Sequence, residues 1–153
     1  MKQIFQNTIL VKKIICIFLI VIWLIVIFLL SSMNSDESNL KSEMILSRII
    51  ILFTKQDYDI SSLNNLFRKI LHVGVYFILT VLIIKILKFI IINKIKLSFV
   101  TIFLCLIFSL FDEYHQTFVG RNGNLLDVLI DLIGTGLAII LYLVIEQKKY
   151  DKI

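Results

Sequence analysis

Several residues able to do chemistry recur at helical spacing inside apolar stretches of this 153-residue chain. Arg68, His72 and Tyr76 are each four residues apart, so one face of a helix would carry all three. Asp127 and Asp131 repeat that spacing further along. Guanidinium groups bind phosphate and carboxylate, whereas imidazole and carboxylate groups can share protons or ligate a metal. The residues therefore predict either an anion-binding site or an acid–base site.

A second polar group ends one apolar stretch and comprises Asp112, Glu113, His115 and Gln116, with Arg121 shortly after. A solvated helix end is the simple explanation for the two acids, although negative charge opposes the dipole at a helix C-terminus. Asp127 would lie in the first turn of its helix, where the dipole favours an acid.

Asp131 is harder to explain as a structural residue. It lies about 9 Å into its apolar stretch by helical rise. An aspartate there costs about 2.5–3.5 kcal/mol on insertion scales, so it should face protein or a hydrated cavity. Four candidate partners could neutralise it: Arg68, His72, His115 and Arg121.

The elements that must position these residues are membrane-spanning helices. Hydrophobic residues make up 59% of the chain, too large a share for a soluble domain, and proline is absent. Apolar stretches at 14–30, 70–87, 97–111 and 125–145 approach the length that crosses a hydrocarbon layer of about 30 Å. The third stretch is short, so either the bilayer thins around it or the helix continues past Phe111. These features predict an all-α bundle of four transmembrane helices in a single domain, 1–153.

Three local features refine this prediction. The first stretch is long for a cleavable signal peptide and no A-x-A site follows it, which favours a retained helix. Residues 44–53 are apolar but too short to span, which predicts an interfacial or re-entrant helix in the first loop. Asn122-Gly123-Asn124 predicts a turn and a helix N-cap. Cys16 and Cys105 lie in apolar stretches and are interpreted as packed thiols.

Topology follows from the Lys and Arg residues. A cytoplasmic N-terminus puts ten of them inside and six outside, which agrees with the positive-inside rule. Both termini are then cytoplasmic, and the polar residues gather at the outer helix ends as a cup open to the outside. The net charge of +5 is interpreted as a topology signal and not as a nucleic-acid surface.

The pattern of polar residues resembles that of the VanZ-like family. The resemblance rests on Arg68-Lys69-x-x-His72-x-x-x-Tyr76, Asp112-Glu113-x-His115-Gln116, Arg121-x-Gly123 and Asp127-x-x-x-Asp131-x-x-Gly134, with Ser31-Ser32 after the first span. It covers roughly residues 31–138. Met33-Asn34 and Val119-Gly120 replace the Gln-Pro and Pro-Gly that the family often has, and neither change touches a charged position.

The resemblance implies a multi-pass protein of the bacterial cytoplasmic membrane. The founding member is associated with low-level resistance to teicoplanin, a lipid-bearing glycopeptide that acts outside the cell. A membrane lipid or lipid-linked cell-wall precursor is the partner expected; the cofactor and the oligomeric state, including a homo-oligomer, stay open.

Three functions are compatible with these residues. Arg68, Lys69 and Arg121 would bind an anionic headgroup in a binding protein, together with His72, Tyr76, Asp112, Gln116 and Asp127. In an enzyme acting on a lipid-linked substrate, the catalytic candidates are Glu113, His115 and Asp131. No zinc signature such as H-E-x-x-H is present, so no metal site is predicted. A proton- or ion-coupled transporter would use Asp131, but four short spans without an inverted repeat disfavour it unless the protein forms oligomers.

Overall fold

The protein is a bundle of α-helices. The computed structural model describes residues 2–53, 60–121 and 123–150, and no strand occurs among them. Five helices follow in order: α1 (Lys2–Ser31), α2 (Ser35–Phe53), α3 (Ile60–Leu87), α4 (Lys94–Phe118) and α5 (Leu125–Tyr150). Four of these, α1, α3, α4 and α5, are long and apolar enough to cross a membrane. The predicted all-α membrane bundle is confirmed, and the chain is a multi-pass membrane protein.

The helices are longer than the apolar stretches from which they were predicted. α4 continues past residue 111 to Phe118, which is one of the two alternatives for the third stretch, because neither proline nor glycine interrupts it before Gly120. Its first turn is capped by Asn93, whose side chain accepts a hydrogen bond from the Lys96 amide at 2.9 Å. The extension keeps the polar residues 112–116 on a regular helix and so fixes which of them share a face.

The predicted additional helix of the first loop is α2. It runs continuously for 19 residues and is not one of the four candidate spans. α2 packs against α3, with Ser42 and Leu46 buried, while Ile51 and Leu52 are exposed. One face of α2 therefore covers the end of the bundle that contains the polar residues.

The helices α3 and α5 form the most extensive contact in the bundle. Gly134 of α5 lies directly against the backbone of α3, where an added Cβ would overlap the Val73 carbonyl. Ala138, one turn later, is 1% exposed. This close approach brings the polar face of α5 against that of α3.

The outward faces of the spans are apolar. Large side chains such as Phe18, Phe103 and Ile140 are exposed on α1, α4 and α5, as expected for surfaces that face lipid. Cys105 is fully buried and Cys16 is half-buried, and both are free thiols. Trp23 joins α1 to α3 by donating a hydrogen bond to the Val75 carbonyl at 3.0 Å.

Candidate functional site

A cavity of about 190 Å³ lies where the ends of α1, α3 and α4 meet α2. We call it the polar cavity. Six residues singled out from the sequence line it: Arg68, His72, Tyr76, Asp112, Gln116 and Arg121. Hydroxyl and amino groups of α1 and α2 add to this polar wall, namely Ser31, Ser38, Lys41 and Ser42. Apolar side chains complete the lining: Ile27, Leu30, Met33, Ile45, Leu71 and Val75. The cavity is therefore amphipathic.

His72 is held by a buried carboxylate behind the cavity wall. Its Nδ1 lies 3.1 Å from Asp131 Oδ1, and the Ser109 hydroxyl donates to Asp131 Oδ2 at 2.6 Å. Asp131 and Ser109 are both fully buried, whereas the His72 side chain is 23% exposed. Of the four candidate partners of Asp131 considered from the sequence, His72 is the one that the fold places within hydrogen-bond distance. The polar pair satisfies the requirement that a carboxylate inside a span be neutralised or hydrogen-bonded.

A hydroxyl network continues from Asp131 into the middle of the bundle. Thr135 Oγ1 donates to the Asp131 carbonyl at 3.2 Å, and Thr80 Oγ1 contacts Thr135 Oγ1 at 3.2 Å and Cys105 Sγ at 3.3 Å. Beyond this network lies an apolar cluster of three buried residues: Ile84, Leu97 and Ile139.

Three cations line the polar cavity without an ion pair to any described residue. Arg68 Nη1 donates to the Asn39 amide oxygen at 2.6 Å, and Lys41 Nζ contacts Met33 Sδ at 3.2 Å. Arg68 and Arg121 are close enough for their charges to repel, and Asp127 is within electrostatic range of Arg68. Within the described ranges, the side-chain ion pairs within 4.0 Å are His72–Asp131 and Lys88–Glu146. Asp112 is a carboxylate in the lining that these three cations share, so the cavity carries an excess of positive charge.

The turn after α4 places Arg121 at the cavity. Gly120 has a φ of 75°, a left-handed conformation that favours glycine at the end of a helix. The chain reverses there, and the Arg121 amide donates to the Gln116 carbonyl at 3.2 Å. Glycine at position 120 is thus the residue that returns the Arg121 side chain to the wall formed by α3 and α4.

Asp112 is not a solvated helix-end residue. It is 8% exposed, lines the polar cavity and accepts a hydrogen bond from Gln116 Nε2 at 3.0 Å. The neighbouring His115 points to α1, where Nδ1 lies 3.2 Å from Ser31 Oγ and the ring packs on Phe28 at 4.6 Å between centroids. His115 lies outside the lining of the polar cavity, at the edge of a separate apolar groove between α1 and α4.

Glu113 belongs to the turn between α4 and α5. It is 6% exposed, and its Oε2 accepts a hydrogen bond from the Asn124 amide at 2.8 Å. Asn124 in turn accepts from the Leu126 amide at 3.0 Å, which confirms the N-cap expected there; Asn122 lies outside the described residues. Glu113 therefore stabilises the backbone of this turn, and its side chain does not line the polar cavity.

The remaining candidates lie around the cavity. Lys69 is exposed and does not line it, and Asp127 is half-buried in the first turn of α5. Among the residues that the structure describes, no three His, Cys, Asp or Glu side chains converge in a way that could hold a metal ion. The roles proposed for Lys69 and Asp127 from the sequence stay predictions.

Sequence reasoning missed three residues that complete the site. Lys41 lines the cavity, Asn39 accepts from Arg68, and Ser109 donates to Asp131. Lys41 and Asn39 are two residues apart and so point in different directions from α2, and their link to α3 depends on how α2 packs. Ser109 had a readable signal, because it lies three residues before Asp112 and therefore on the same side of α4.

Comparison with known families matches residues 16–146 to the family described as VanZ/LLP1. The match covers most of the chain, including every residue of the polar cavity described above. Comparisons with curated proteins and with solved structures find no match.

Proposed function

The chain belongs to the VanZ/LLP1 family, and on that premise we propose that its polar cavity binds the phosphate-bearing headgroup of a membrane lipid or lipid-linked cell-wall precursor. The observation that carries this proposal is the set of three cations, Arg68, Arg121 and Lys41, that share one cavity with the single carboxylate Asp112 and form no ion pair within 4.0 Å with a described residue. An excess of positive charge is costly in a partly buried site, and a phosphate would offset that cost. Arginine in particular forms paired hydrogen bonds with phosphate oxygens.

The apolar lining supports a lipid over a free anion. Ile27, Leu30 and Val75 form a surface that a soluble ion would not use. An apolar groove of about 350 Å³ between α1 and α4 shares Ile27 and Asp112 with the polar cavity. A headgroup in the polar cavity would thus have a place for its hydrocarbon chain beside it, in the part of the protein that faces the bilayer.

The proposed location is the outer face of a bacterial cytoplasmic membrane, with both termini in the cytoplasm. The distribution of Lys and Arg supports this orientation. Cell-wall precursors and teicoplanin meet at that face, so binding of a precursor there would connect the site to teicoplanin resistance.

The experiment compares lipid retention by purified protein. Wild type, Arg68→Gln and Arg121→Gln would be mixed with phosphatidic acid, phosphatidylcholine or inorganic phosphate, and bound ligand measured by native mass spectrometry. We expect the wild type to retain phosphatidic acid in preference to the other two. Each substitution should weaken retention by roughly 10- to 100-fold, because each removes a charge-assisted hydrogen bond.

Lys69→Gln is the matched control, because Lys69 is adjacent to Arg68, carries the same charge and lies outside the cavity. Its retention should equal that of the wild type. Equal losses in Lys69→Gln and Arg68→Gln would contradict a cavity site and indicate surface charge attraction. Stronger binding of inorganic phosphate than of phosphatidic acid would contradict the proposal that the ligand is a lipid. Teicoplanin susceptibility of cells expressing the same variants tests the link to resistance.

A further inference from the structure

We propose that the polar cavity also hydrolyses a lipid phosphomonoester, with His72 as general base and Asp131 as the residue that positions it. This inference rests on the proposed binding of a phosphate-bearing lipid. Its starting observation is the path of hydrogen bonds from Ser109 through Asp131 to His72, with distances of 2.6 and 3.1 Å. A carboxylate oxygen accepts, so His72 Nδ1 carries the proton in this contact, and a neutral ring then has its lone pair on Nε2.

Solvent exposure increases along this path from Ser109 and Asp131 to His72, as expected for a base that is held in place by buried residues. Ser109 and Asp131 are fully buried, and His72 alone reaches the cavity with 23% of its side chain exposed. A buried carboxylate that accepts a hydrogen bond from an imidazole holds the ring in one orientation. It also stabilises the imidazolium cation that forms when the ring accepts a proton. A merely structural contact between α3 and α5 would not need a charge at this depth, where insertion of aspartate is costly.

The cations of the cavity fit the same reaction. Arg68 and Arg121 line the wall that also carries His72, and neither forms an ion pair within 4.0 Å with a described carboxylate. Fixed positive groups around a transferring phosphoryl stabilise the charge that spreads over its oxygens. Tyr76 adds a further group, since its hydroxyl oxygen is buried without a hydrogen-bond partner among the described residues, although Ser109 is near. A ligand oxygen or a water would satisfy it.

The reaction consumes one water. Nε2 of His72 removes a proton from the water as the water oxygen forms a bond to phosphorus. The bond between phosphorus and the lipid oxygen breaks on the opposite side, and that oxygen takes a proton from a solvent water. The proton on Nε2 returns to solvent, which restores that water. The products are a lipid alcohol and inorganic phosphate, and His72 returns to its neutral form. No oxidation or reduction takes place.

The test uses the full chain in vesicles that contain phosphatidic acid or, in a separate arm, an isoprenoid monophosphate. Released phosphate and lipid alcohol are measured for wild type, His72→Gln, Asp131→Asn and the control Asp36→Asn, an exposed acid in the first turn of α2. Wild type and control should release phosphate from at least one lipid. His72→Gln should lower the rate on the order of 10²- to 10⁴-fold while lipid retention stays within a few-fold. Asp131→Asn should lower kcat with little change in KM, because it acts through His72.

The outcomes separate this inference from the proposed binding. Retention of both lipids that depends on Arg68, with no phosphate released from either, overturns hydrolysis and leaves binding in place. Absence of retention in both the wild type and the His72→Gln variant, together with absence of phosphate release, overturns both. A His72→Gln protein that is folded by circular dichroism and hydrolyses at the wild-type rate excludes His72 as the base. If that variant does not fold, equal kcat in Asp131→Asn and wild type overturns the proposed pair.

Discussion

Substitution of Gly134 by alanine should separate α3 from α5 and disturb the His72–Asp131 pair. A Cβ at this position would overlap the Val73 carbonyl oxygen and lie 3.0 Å from the Val73 carbonyl carbon and 3.1 Å from the Phe77 amide nitrogen. Ordinary contact begins at 3.4 Å, so the carbon would have to move away by about 0.4 Å and the nitrogen by about 0.3 Å. The carbonyl oxygen would have to move further than either. All three are backbone atoms of one turn of α3, which cannot move aside as a side chain can.

The expected cost is about 1–3 kcal/mol, the usual range for overpacking, and it should exceed the gain of up to about 1 kcal/mol that alanine gives over glycine in a helix. Asp131 lies one turn before Gly134, and His72 is next to Val73. Parting the helices here would therefore lengthen the 3.1 Å contact between Nδ1 and Oδ1. The assay is thermal unfolding in detergent, followed by phosphate release in vesicles.

Gly74→Ala and Gly136→Ala are the matched controls. An added Cβ meets nothing within 4 Å at either position, although both are helical glycines on the same two helices. They should be as stable as the wild type or up to about 1 kcal/mol more stable. If Gly134→Ala were as stable as Gly136→Ala, the close approach of α3 and α5, and with it the positioning of Asp131, would be refuted.

Three further predictions concern the turn, the network and the topology. Glu113→Ala should lower stability by roughly 1.5–3 kcal/mol in thermal unfolding, because the Asn124 amide loses a charged acceptor. Glu113→Gln should lower stability less and leave lipid retention unchanged. An equal loss of stability in both variants would contradict this role of Glu113. Thr80→Val should cost roughly 0.6–1.7 kcal/mol by the same assay, as interhelical hydrogen bonds in membranes do, and a neutral effect would mean that the network adds no stability. In a cysteine-free background, Asp36→Cys should react with an impermeant maleimide on intact cells and Ile92→Cys only after lysis; the reverse would invert the topology.

The role of Glu113 shows where reasoning from residue types fails. Glu113 and Asp112 are neighbours in the sequence and both are buried, yet only Asp112 lines the polar cavity. Consecutive residues on a helix differ in direction by about 100°, so the two carboxylates face different surroundings. The same geometry separates Arg68, in the cavity wall, from the exposed Lys69. Residue type indicated the chemistry in each case, and direction decided which residue reaches the cavity.

The sequence alone determined the membrane bundle, because the length and composition of an apolar stretch fix whether it can span and require its backbone to be helical. It also determined that Arg68, His72 and Tyr76 share a face, since helical spacing depends only on neighbours along one chain. The tertiary structure decided that Asp131 pairs with His72 and that the cavity cations stay without carboxylate partners among the described residues. Those outcomes depend on how each helix is rotated against the next. That rotation is set by packing between residues distant in sequence, such as Gly134 against Val73, and no local pattern specifies it.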